Sequence, residues 1–236
     1  VRGRAHRRSQ GAATLGSGRP AARRQTETRP REKDEGAPLN TPSHLLITAA
    51  AARAGGLPRG ARRAAWLGAV APDLPLLALS LAGFAWYEGH LGWEREAVLQ
   101  KLYGELFFRD ALWIAAHNAL QAPLVLVAGL AGCALLGSRA PVAARRLTWF
   151  LAACLLHAAL DIVTHHDDGP LLLFPFDWEL RFASPISYWD HRHYASRFLL
   201  FEVALDVVLL GYLSAPWLRR RLRGVRAPRD AGGEAP

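Results

Sequence analysis

The sequence predicts an all-α integral membrane protein, a helical bundle with about four transmembrane helices. Three observations carry that prediction. Four long apolar runs recur along the 236 residues, arginine clusters alternate with acid-rich stretches between them, and the excess positive charge sits at the two ends of the chain. The formal net charge is +9, yet residues 1–40 hold 10 basic and 4 acidic groups and residues 218–236 hold 6 and 2, so that 41–217 is close to neutral. Charge confined to tails speaks against a nucleic-acid-binding domain, which concentrates it on a folded face. The 2 cysteines, Cys133 and Cys154, both lie inside apolar runs and read as buried thiols rather than as a disulfide framework.

Residues 1–39 contain no apolar run and no signal-peptide core. They read either as a disordered basic tail or as an over-long gene start whose initiator lies near Leu39. The bias toward Ala, Arg and Gly is that of a GC-rich bacterial genome. Segment 42–54 (PSHLLITAAAARA) is apolar but too short to span, and reads as a half-helix capped by Ser43. The spanning candidates are 66–86, with Asp73 as its one charge; 111–138, with His117; 147–164, with His157 and Asp161; and 198–217, with Glu202 and Asp206. At ~1.5 Å per residue each is close to the ~30 Å of a hydrocarbon layer or exceeds it. Between the first two, 87–110 mixes Trp, Tyr and Phe with charges and reads as an interfacial helix. Residues 40–217 therefore form the membrane domain, and 218–236 a basic tail.

Loop charge sets an orientation. The stretches 53–63 and 139–146 and the tail beyond Trp217 carry 13 arginines, whereas 87–110 and 165–197 carry 6 cations and ten acids. The positive-inside rule places both termini in the cytoplasm of a cell with an inner membrane, and the two acidic loops outside.

Counting ~1.5 Å per residue from the arginine clusters puts Asp73 roughly 15 Å deep, His157 roughly 16 Å and His44 roughly 14 Å, with Asp161 one turn beyond His157. His117, Glu202 and Asp206 come out near the same level. Ionisable groups in lipid are costly unless they face the protein interior and find a partner or a cation. His157 and Asp161, at i and i+4, project from one face of one helix, and His165 extends that face by a turn. Imidazole nitrogen and carboxylate oxygen suit Zn2+ or a similar divalent ion. A lone pair of this kind equally describes a hydrogen bond that locks helices together; the other polar residues at the same depth favour the metal. Asp73 stands in Ala-Pro-Asp-Leu-Pro, a segment that interrupts helical hydrogen bonding and so lines protein or water. Segment 165–197 packs four His and five acids around prolines, suiting a loop that covers a site opening outward.

These elements resemble the predicted membrane-bound metal-dependent hydrolases of bacteria and archaea. The match runs through Thr-Pro-Ser-His-Leu at 41–45, Gly-x-x-x-Pro-Asp from Gly68 to Asp73, the helix histidine His117, and His-x-x-Leu-Asp at His157, Leu160 and Asp161, followed by Pro175 and Phe176. It spans about residues 40–215, and the residues around His117 depart from the family's Thr-His-Ser type. A looser similarity is to zinc-dependent phospholipase C, whose metal helices also use His-x-x-x-Asp. The resemblance implies one or two divalent ions, Zn2+ or similar, held by His44, Asp73, His117, His157 and Asp161, to which the shared helix face adds His165. An uncoordinated carboxylate, Glu202 or else Asp73 in place of its ligand role, would act as general base toward a metal-activated water. The expected partners are membrane lipid and an amphiphilic substrate, a lipid or phosphate ester. The competing reading is a non-enzymatic bundle whose His/Asp cluster serves an ion or proton pathway or is purely structural.

Overall fold

The computed structural model describes residues 40–137 and 139–225; the tail expected at 1–39 and the end of the chain beyond Val225 lie outside them. The described residues are helical or irregular, with no strand among them. In order they form α1 (Asn40–Ala54), α2 (Arg59–Val70), α3 (Asp73–Phe84) continuing as a π-helical segment Ala85–His90, and α4 (Arg95–Leu99), whose axis runs on through π-helical Gln100–Leu106 into α5 (Phe107–Arg109). Then come α6 (Ala111–Asn118), α7 (Pro123–Leu136), α8 (Pro141–Thr164), a long irregular loop, and α9 (Ala195–Val225).

Two helices, α8 and α9, are long and apolar enough to cross a membrane; two bent pairs bring the number to four if each pair is one span. The runs 66–86 and 111–138 thus exist as helix but are broken, by 41° between α2 and α3 and by 48° between α6 and α7. Proline accounts for both breaks. Pro72 and Pro123 have no N–H to give to the preceding turn, and each begins a new helix instead. The apolar surface faces outward: Leu200, Phe201, Val207 and Val208 of α9 are all exposed. The helix α9 also extends to Val225, so residues 218–225 of the expected tail continue the last helix. Segment 87–110 is helical over most of its length and is packed: Val98, Leu102 and Phe107 are buried with Trp113 against α3 and α6.

Contacts fix how the helices run. Gly60 faces Arg146 and Gly68 faces Phe150 and Ala153, so α2 and α8 run side by side in the same direction. A Cβ on Gly68 would stand 2.1 Å from the Phe150 carbonyl oxygen, and only glycine permits that crossing. The Ser43 hydroxyl donates to Asp206 and Arg53 to the carbonyls of Tyr212 and Leu213, so α1 and α9 also run together, opposite to the first pair. The α1–α2 turn and the starts of α8 and the end of α9 therefore share one arginine-rich end. The long loop folds over the other: Leu171 N donates to Asn118 Oδ1 (2.7 Å), Tyr188 N to the Thr164 carbonyl (3.0 Å) and Ser184 Oγ to the Val163 carbonyl (2.6 Å).

Candidate metal centre

The α2–α3 break builds the first part of the site. A helix leaves its last carbonyls without internal donors, and at the end of α2 the Ala69 carbonyl instead lies 2.9 Å from His157 Nδ1 on α8. The close crossing at Gly68 makes that approach possible. A carbonyl only accepts, so Nδ1 carries the proton and Nε2 of a neutral ring presents a lone pair. Yet Nε2 faces two carboxylates, Asp161 Oδ2 at 3.1 Å and Asp73 Oδ1 at 3.2 Å. A lone pair against two anions is repulsive; a cation between them, a proton or a metal ion, makes the arrangement favourable.

The second part comes from α1. His44 places Nε2 3.1 Å from Asp161 Oδ1, and its ring stacks on His157 with centroids 4.0 Å apart and planes 19° from parallel. Asp161 thus turns one oxygen to each imidazole. Despite these distances, neither nitrogen of His44 nor Nε2 of His157 has a hydrogen-bond partner of proper alignment, and all three are buried. Ligand atoms from His44, His157 and Asp161 lie within 4.8 Å of one another. Two ligands ~2.0–2.1 Å from a tetrahedral ion stand about 3.3 Å apart, close to the 3.1 Å between each imidazole Nε2 and its Asp161 oxygen. The donor set, two imidazoles and a carboxylate, therefore fits a divalent ion. The Ala69 carbonyl would be the outer partner that fixes the ring orientation of His157, as backbone carbonyls commonly do for metal-bound histidine.

Asp73 differs from the buried trio because its side chain is 31 % exposed. Its other oxygen accepts from Thr41 Oγ1 at 2.6 Å, which ties the start of α1 to the start of α3. Thr41, Ser43 and His44 all act at this end, yet sequence reasoning gave a site role only to His44. The Thr-Pro-Ser-His run, with three polar residues at the start of an otherwise apolar helix, was the available signal.

The remaining expected site residues fall around this group rather than within it. His165 turns Nδ1 back to the Asp161 carbonyl (2.9 Å), leaving Asp161 Oδ1 at 3.9 Å, and its ring meets Tyr188. Partial burial, with the charges of Asp168, Asp161 and Asp73 nearby, pushes the Tyr188 phenol pKa up, which keeps it a neutral donor beside the site. His117 is buried against Phe107, ring centroids 4.8 Å apart, with neither nitrogen partnered. Glu202 is buried on α9, one turn before Asp206, and no described contact joins it to the His/Asp group. The loop carries a second stacked pair, His166 on His193 at 3.6 Å, with His166 Nδ1 at the Ser184 carbonyl. That pair pins the loop to itself.

Compared with known proteins, the chain matches no family model, no curated protein and no solved structure.

Proposed function

We propose that the protein is a membrane-embedded metal-dependent hydrolase in which His44, His157 and Asp161 hold one divalent ion, Zn2+ or similar, with Asp73 beside it. The observation that carries this reading is the His157 ring: its Nδ1 proton is given to Ala69, and its Nε2 is turned toward two carboxylates within 3.2 Å. A bound ion of this kind supplies Lewis acidity and a water of lowered pKa. The chain's own groups do the rest. Asp73, half-exposed and oriented by Thr41, is placed to take a proton from a water at the site. The buried His44–His157 stack keeps water from the inner face. His165, whose Nδ1 meets the Asp161 carbonyl, and the buried, unpartnered His117 are further nitrogen donors, in keeping with the family resemblance. An apolar exterior around a polar interior suits an amphiphilic substrate, a phosphate or acyl ester of lipid character. The arginine-rich end faces the cytoplasm of the inner membrane under the positive-inside rule, with the site and its loop toward the outside.

Metal analysis of the full chain purified in detergent tests the first half of this reading. A stoichiometric transition metal is expected, and its absence even after zinc supplementation overturns the metal centre in favour of a His–Asp pair that shares a proton. The second half is tested on the metal-loaded protein with mixed micelles of phosphatidic acid or phosphatidylglycerol. Chelator-sensitive release of phosphate, of a phosphorylated headgroup or of fatty acid supports a hydrolase; intact lipid in every assay, with the metal bound, overturns it.

A further inference from the structure

Far from the His/Asp group, the arginine-rich end contains a second feature. Helix α9 carries Pro216 in its interior. A proline has no N–H, so the Tyr212 carbonyl four residues earlier loses its helical donor. Arg53 at the end of α1 replaces it: Nη1 donates to the Tyr212 carbonyl and, at 3.1 Å, to that of Leu213, with the guanidinium 4.3 Å above the Tyr212 ring. Beside this joint opens a cavity of about 450 Å3 lined by Arg53, Tyr212, Ala215, Pro216, Arg219 and Arg220. Three of its six lining residues are cationic and none is acidic. The surrounding stretches 52–66, 139–149 and 207–225 hold 11 arginines and no Asp or Glu. Among the described residues neither Arg219 nor Arg220 has a carboxylate partner.

We propose that this cavity binds the phosphate headgroup of an anionic phospholipid, clamped between Arg53 of α1 and Arg219 and Arg220 of α9. Arginine presents a planar fork of donors that matches phosphate oxygens, and a second guanidinium opposite it makes a clamp. The source is a lipid because the cavity lies at the end of a helix long and apolar enough to span, and Val208, exposed one turn before Tyr212 on the cavity's own face of α9, offers apolar surface to an acyl chain. Basic pockets between spanning helices at the positive side of a membrane suit such headgroups. The site is independent of the metal centre and rests only on the membrane character of α9.

The test is native mass spectrometry of the full chain in detergent, titrated with phosphatidylglycerol or phosphatidylcholine. The wild type should retain one phosphatidylglycerol at least tenfold more tightly than phosphatidylcholine. The exposed pair R219Q/R220Q should weaken that binding about tenfold, whereas R59Q/R62Q, which removes the same charge from α2 outside the cavity, should change it less than twofold. Equal retention of the two lipids overturns the proposal, and so does equal weakening by both double variants, which would indicate diffuse attraction. Displacement of the lipid by millimolar inorganic phosphate overturns the lipid assignment and makes the cavity a site for soluble phosphate.

Discussion

The Ala69 carbonyl and the His157 imidazole, 88 residues apart in sequence and 2.9 Å apart across a hydrogen bond, decide the chemistry of the candidate site. With the proton held on Nδ1, the ring can meet Asp161 and Asp73 only through a cation at Nε2.

Asp161→Asn separates a metal centre from a structural bridge. An amide keeps the shape and still accepts hydrogen bonds but lacks the charge that holds a divalent ion. The variant should remain inserted and helical by circular dichroism while losing bound metal, and His157→Ala and His44→Ala should do the same. Full metal retention in Asp161→Asn and His44→Ala would show that the cluster is held by hydrogen bonds alone.

Asp73→Asn should behave differently from these three. Asp73 is the exposed member of the set, so its loss should leave most of the metal bound while abolishing turnover. Thr41→Val, which removes only the hydroxyl at 2.6 Å from Asp73, should lower turnover by about tenfold without moving metal content. Metal analysis and steady-state turnover on the same preparations read both effects.

Gly68→Ala places a methyl 2.1 Å from the Phe150 carbonyl oxygen, a backbone atom that cannot swing away. Helices α2 and α8 must separate, at a cost of about 1–3 kcal/mol, and Ala69 must withdraw from His157. A lowered thermal midpoint together with weaker metal retention is expected. Gly132→Ala, where a methyl meets open space, is the control and should change neither.

Arg53 and Pro216 should couple in a double-mutant cycle. Removing the guanidinium by Arg53→Gln leaves the Tyr212 carbonyl without its donor and should destabilise by about 1–3 kcal/mol. Pro216→Ala restores the helical N–H, so the same Arg53 change should cost much less in that background. Additive losses in detergent unfolding experiments would show that Arg53 does not serve this carbonyl.

The loop has its own acid response. Hydrogen bonds from Arg192 hold the Asp190 carboxyl down at about 2, below its ordinary 3.8. A group whose pKa is lowered by folding stabilises the fold above its unfolded value, and that contribution disappears as pH falls through the folded one. Protection of 187–197 in hydrogen exchange should therefore weaken between about pH 4 and pH 2, and Asp190→Asn should abolish that step.

How much of this was legible in the sequence depends on which residues are asked about. His157 and Asp161 were, because i and i+4 on an apolar helix fix a shared face without any tertiary information. The depth count also brought His44 and Asp73 to the same level, and both are at the cluster. It equally brought Glu202 there, since depth along a helix says nothing about which way the side chain points. The breaks at Pro72 and Pro123 were visible as prolines, but a hydropathy run does not register a bend of 41° or 48°. The role of Ala69 was not legible: a backbone carbonyl has no signature in side-chain identity. Its nearest trace was Gly68, whose close approach to α8 becomes meaningful only once the neighbouring helix is known.

Helix α1 is fastened at both ends to α9, by Ser43 to Asp206 and by Arg53 to the Tyr212 and Leu213 carbonyls. The first helix among the described residues, which supplies His44, is therefore held in register by the last helix among them. Without α9 the Thr41–Asp73 bond and the His44–His157 stack would remain, but the two fastenings that fix how far α1 slides along the bundle would be gone. The place of His44 among the candidate donors is thus set through contacts that span 163 and 160 residues, whereas His157 and Asp161 are brought together within a single turn of α8.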